Sequence, residues 1–108
     1  MSRIEEIITR SDLLAGKSIS WQKLNGSYNS CVYKLSCDIN HYALKIYAPK
    51  HHPAEAAERM TRENNFLTQC ALNHITNVPR ILESGFEMNY SILTWICGTH
   101  PSIIGLKV

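Results

Sequence analysis

Lys45 sits in the apolar run Tyr42-Ala43-Leu44-Lys45-Ile46-Tyr47, and Glu63 follows eighteen residues later in a stretch with helical periodicity. A cation on an apolar strand and an anion on an apolar helix face are each costly to bury alone, so the pattern predicts that the two meet. A lysine oriented by a glutamate is suited to gripping the phosphates of a nucleotide. The competing readings are a purely structural ion pair and a lysine that snorkels to water from an edge strand.

The elements that must position these two groups follow from period and propensity. Residues about 53–72 contain no internal Gly or Pro after Pro53, itself a good first helical residue, and Ala54, Ala56, Ala57, Glu58, Arg59 and Met60 are strong helix formers. At 100° per residue, Ala56, Met60, Leu67, Cys70 and Ala71 share one face, with Glu63 near its centre, while Glu55, Glu58, Arg62 and Gln69 lie largely elsewhere. Period-two alternation puts Ala43, Lys45 and Tyr47 on one face of their strand and Tyr42, Leu44 and Ile46 on the other. Ala43 is small enough to let a flat ring approach beside Lys45.

Upstream, Leu24-Asn25-Gly26-Ser27-Tyr28-Asn29-Ser30-Cys31-Val32-Tyr33-Lys34-Leu35 places a Gly and small polar residues between two β-prone runs. This is ordinary hairpin chemistry, and it is also a turn whose backbone N–H groups and hydroxyls can cradle an anion.

The order of these parts resembles the N-terminal lobe of the protein-kinase-like fold, most closely that of the aminoglycoside phosphotransferase family of small-molecule kinases. The run Gly26 to Leu35 is similar to that family's nucleotide loop and the strand after it, Leu44-Lys45-Ile46 to its strand-three lysine, and Arg62-Glu63 to its helix glutamate. Val78-Pro79-Arg80-Ile81-Leu82-Glu83-Ser84-Gly85 and Ile92-Leu93-Thr94-Trp95-Ile96-Cys97-Gly98 resemble its fourth strand and its fifth strand with the hinge. The loop departs from many relatives in having one Gly rather than two, and the hinge has Thr94 where an acidic residue is frequent. The resemblance implies an ATP site in which Gly26, Ser27 and Ser30 lie over the phosphates, Lys45 grips them and Glu63 orients Lys45. It further implies that Val32 and Ala43 roof the adenine, for which plain core packing is the other reading, and that the Thr94 carbonyl and Ile96 amide meet its edge.

In kinases the catalytic Asp, the metal-holding Asn and the metal-binding Asp belong to a second lobe. No His-x-Asp or Asp-Phe-Gly-like sequence occurs among the 108 residues, whose Asp residues are Asp12 and Asp38. The expectation is a fragment, an ATP-binding lobe inactive by itself that self-associates or requires a second lobe on another chain, with magnesium required only once that lobe is supplied. On that expectation apolar residues near Ile96, with Ile103, Ile104 and Leu106, are left exposed. Aminoglycoside, choline, homoserine and sugar-amine acceptors stay open. The alternative is a non-catalytic nucleotide-binding or protein-interaction module.

Length gives one domain that buries only about two thirds of its unfolded surface. A formal charge of +2 with scattered Lys and Arg argues against nucleic acid and anionic membranes as partners. Apolar runs fall far short of a membrane span, and Glu5 and Glu6 stand where a signal peptide excludes acids, so a cytoplasmic protein is expected. Cys31, Cys37, Cys70 and Cys97 lack a paired spacing and read as buried or half-buried free thiols. Cys70 with His74, or His51-His52, could contribute to a metal site, but no second ligand pair of recognisable spacing accompanies them.

The predicted fold is α+β: a five-stranded antiparallel sheet with one long helix, plus an N-terminal amphipathic helix. Ser2 and Glu5 form a capping box and Ile4, Ile7, Ile8 and Leu14 an apolar stripe, giving a helix over about 2–15 laid on the sheet. Strands are predicted at about 18–25, 31–37, 41–48, 80–87 and 90–96, with turns at Asp38-Ile39-Asn40 and Glu87-Met88-Asn89. Residues 1–17 thus form the N-terminal helix segment, 18–98 the kinase-like lobe, and 99–108 the start of a connection.

Overall fold

In the chain's computed structural model, residues 2–26, 30–48 and 54–96 are described. Helix α1 (Arg3–Arg10) leads into β1 (Ser20–Gly26), β2 (Ser30–Cys37), β3 (Asn40–Tyr47), helix α2 (Ala54–Leu72), β4 (Ile81–Gly85) and β5 (Tyr90–Thr94). The five strands form one sheet in the order β1-β2-β3-β5-β4, every neighbouring pair antiparallel. The fold is therefore the α+β arrangement that the sequence predicts, with the long helix joining β3 to β4 and β5 inserted between them.

The alternation of β3 divides the core. Leu44 and Ile46 face the cluster of Ile4, Ile7, Leu14, Leu35, Tyr90 and Ile92, in which α1 covers one side of the sheet. On the opposite side Val32, Ala43 and Leu93 pack with Leu67, and Tyr47 packs with Ala56 and Met60, all three helix residues belonging to α2. Leu35, Leu44 and Ile92 are fully buried, and truncating any of them to Ala would cost about 2–5 kcal/mol.

Helix α1 starts as expected. The Ser2 hydroxyl accepts the Glu5 N–H and the Glu5 carboxylate accepts the Ser2 N–H, a reciprocal cap. It ends sooner than the predicted 2–15. At Ser11 the backbone turns extended, and the Ser11 hydroxyl donates to Glu83 at 2.6 Å while accepting the Leu14 N–H at 3.2 Å. A serine that finds such partners competes with helix continuation. The following turn still delivers Leu14, 1% exposed, to the α1 side of the core.

Other boundaries shift by a few residues. Strands β1, β4 and β5 occupy Ser20–Gly26, Ile81–Gly85 and Tyr90–Thr94 rather than 18–25, 80–87 and 90–96. The β2–β3 turn is centred on Asp38 and Ile39, and Asp38 and Asn89 take left-handed conformations (φ 55° and 52°) that Asp and Asn tolerate better than most residues. Among the described residues no helix is long and apolar enough to cross a membrane.

Candidate functional site

The predicted pair forms. Lys45 Nζ lies 2.7 Å from Glu63 Oε1, with side-chain exposures of 4% and 13%. Strand β3 is the third of five in the sheet, flanked by β2 and β5, so the lysine rises from the interior of the sheet and not from an edge. Its strand alternation aims it at α2, and the helical period aims Glu63 back at β3.

A third group joins them. The Tyr47 hydroxyl donates to the same Glu63 oxygen at 2.9 Å, and the Lys45 ammonium lies 4.9 Å from the Tyr47 ring centroid. Burial, followed by the charge and hydrogen bond of Glu63, pushes the Tyr47 phenol far above its ordinary value, so it stays a donor. Beside the trio, Ser91, Asn64 and Ser84 close a hydrogen-bonded triangle with distances of 3.0–3.2 Å. Ser91 stands opposite Lys45 on β5, so the polar seam between α2 and the sheet crosses from β3 toward β4.

Register places several of the other sequence-predicted residues on the same face. Ser30 pairs with Tyr47 and Val32 with Lys45, while Ala43 stands between Lys34 and Leu93. Charged and apolar side chains thus alternate along the face, Lys45 standing beside Val32 and Ser91, and Lys34 beside Ala43 and Leu93. Gly26 ends β1 opposite Cys31, and Ser27 lies outside the described residues. Thr94 is engaged with β4: its amide donates to the Arg80 carbonyl at 2.9 Å, and its hydroxyl oxygen accepts the Arg80 N–H at 2.9 Å. Ile96 is half-buried just beyond β5.

Of the surface expected to be bare near Ile96, the described part is half-covered, Trp95 and Ile96 both being half-buried. Val32 and Ala43 are 2% and 0% exposed, and Trp95, half-buried, packs against their cluster with Leu24, Val78 and Ile81. The Lys34 ammonium lies 4.9 Å from the Trp95 ring centroid. Ile103, Ile104 and Leu106, together with His51, His52 and Cys97, lie outside the described residues.

Sequence reasoning did not assign roles to Tyr47, Asn64, Ser91 or Trp95. Two signals were present: Tyr47 is two positions from Lys45 on one strand face, and Ser91 is a small polar residue directly before the apolar pair Ile92-Leu93 of β5. His74, which with Cys70 could contribute to a metal site, is exposed at the end of α2 with φ 57°, and no metal-holding cluster of His, Cys, Asp and Glu occurs among the described residues.

No protein-family model matches the chain, and no curated protein matches it.

Proposed function

We propose that this chain is the ATP-binding lobe of a small-molecule phosphotransferase of the aminoglycoside phosphotransferase type. The observation that carries the reading is the 2.7 Å contact between Lys45 on an interior strand and Glu63 on the helix that follows it. The order of elements around that contact supports it: a hairpin, the lysine strand, the glutamate helix and a second hairpin.

Ser30 and Lys45 toward one end of the face suit phosphates, and the small Ala43 toward the other suits a flat ring. Gly26, Ser27 and Ser30 would lie over the phosphates, Lys45 would hold them, and Glu63 with Tyr47 would keep the ammonium in place. Val32 and Ala43 would meet the ring, with Thr94 and Ile96 at its edge. ATP would supply the phosphoryl group; a base and magnesium ligands would come from a second lobe, on another chain or in a further part of the protein.

Titration of the purified chain with ATP and with inorganic tripolyphosphate tests the reading. Both should bind, and Lys45→Met should weaken both by roughly tenfold or more while circular dichroism shows the fold retained. Failure of both ligands to bind at about 1 mM would sink it. The complete burial of Ala43 favours, as a second reading, an interaction module in which the ion pair is structural. That reading expects Lys45→Met to change stability alone.

A further inference from the structure

Lys34 and Trp95 meet across β3. Lys34 stands on β2 opposite Ala43, and Trp95 lies two residues beyond Leu93, which stands opposite Ala43 from the β5 side. Neighbouring strands are about 4.8 Å apart, so side chains from β2 and β5 must bridge roughly twice that distance. A lysine and an indole together can span it, and their 4.9 Å approach shows that they do. The contact therefore passes over the β3 backbone beside Ala43, with the indole packed on the cluster of Val32, Ala43, Leu67 and Leu93.

Almost none of the surface of Val32 or Ala43 is open to a flat ring in this arrangement. Trp95, packed against this cluster, is nevertheless placed to leave it. It follows the last residue of β5, outside the strand ladder, whereas Val32, Ala43 and Leu93 lie within strands and Leu67 within α2. Its flat aromatic ring is also the side chain closest in shape to a nucleobase.

We propose that Trp95 sets nucleobase affinity in this protein: the indole lies in the base position, Lys34 holds it there, and a nucleotide binds by displacing it. The proposal rests on reading the Lys45 face as an ATP site. Phosphate contact at Lys45 does not require the displacement, because Lys45 and the Lys34–Trp95 contact occupy different stretches of the face. The apparent affinity for ATP is then the intrinsic affinity multiplied by the fraction of molecules with the indole displaced, whereas that for tripolyphosphate is not reduced.

Titration of the full chain with ATP and with tripolyphosphate tests this in wild type, Trp95→Ala and Lys34→Met. Trp95→Ala should tighten ATP by about tenfold, and Lys34→Met by up to roughly fivefold, the equivalent of one lost cation–π contact, with tripolyphosphate unchanged in both. Should Trp95→Ala fail to fold, Trp21→Phe leaves Trp95 as the sole indole. Its emission should then shift to the red with ATP and stay still with tripolyphosphate. ATP binding to wild type that is not tightened by Trp95→Ala, or that leaves Trp95 emission unmoved, would overturn the proposal and leave the ATP site standing. Failure of all three proteins to bind either ligand would overturn the ATP site and the proposal with it.

Discussion

Tyr47 and Lys45 donate to a single atom, Oε1 of Glu63, at 2.9 and 2.7 Å. Two donors converging on one oxygen make the carboxylate tolerable between the sheet and α2, and each limits the damage done by losing the other. Lys45→Met should therefore cost about 3 kcal/mol and Tyr47→Phe about 1–2 kcal/mol. The double variant should lose more than the sum, by roughly 0.5–1 kcal/mol or more, because that oxygen then has neither donor. Urea unfolding of the three variants measures this coupling, and strict additivity would show that the two donors act independently.

Glu83 ties the segment after α1 to the sheet: it accepts from the Ser11 hydroxyl at 2.6 Å, the Tyr90 hydroxyl at 2.6 Å and the Leu13 N–H at 2.9 Å. Burial pushes its carboxyl up, but these hydrogen bonds to the ionised form outweigh burial and leave it below its ordinary value of 4.5. A carboxyl lowered on folding stabilises above its unfolded pKa, and that contribution is lost as pH falls through the folded pKa. Melting temperature should thus decline as the solution is acidified below about pH 4.5. Glu83→Gln should lower stability at pH 7 and flatten this acid limb; an unchanged limb would assign it to other carboxylates.

Gly85 pairs with Tyr90, and a methyl group there would run into Cε1 of the tyrosine ring. The ring cannot swing aside freely, because its hydroxyl is held by Glu83. Gly85→Ala should destabilise by about 1–3 kcal/mol, the usual cost of overpacking. In a Tyr90→Ala background most of that penalty should vanish, which thermal unfolding of the two Gly85→Ala proteins and their parents can establish.

His74 closes α2 in a left-handed conformation (φ 57°), with the Ile75 N–H donating to the Cys70 carbonyl at 2.9 Å and the His74 N–H to the Ala71 carbonyl at 3.2 Å. This helix ending is one that glycine ordinarily fills, because a side chain is strained there. His74→Gly should raise stability by about 0.5–1 kcal/mol, seen as a higher midpoint in urea with an unchanged slope. A fall in the midpoint would mean that the imidazole makes contacts that outweigh the strain.

Much of the site was legible because it depends on two short periods. Ala43, Lys45 and Tyr47 share a face by strand alternation, Glu63 shares one with Met60 and Leu67 by helical period, and one unfavourable charge on each surface called for the other. The end of α1 was not legible, since Ser11 leaves the helix for Glu83, a partner 72 positions away that no local pattern reveals. Trp95 likewise carries no periodic sign of its destination. It lies beyond the end of β5, and its place over β3 depends on β5 having inserted between β3 and β4.

That insertion also dictates the order in which the molecule can be made. Until the chain has been extended through β5, the lysine-bearing strand has a partner on the β2 side alone, and its other edge is an open template for pairing with another chain. Closing it requires a long loop containing the whole of α2, so the Tyr42 to Ile46 half of the ladder belongs to the late, non-local part of folding. Once closed, the amides around Lys45 are covered on both flanks and should be among the slowest in the molecule to exchange with solvent. A chain interrupted before Tyr90 would expose an apolar strand edge, a hazard for aggregation during synthesis that the finished fold conceals.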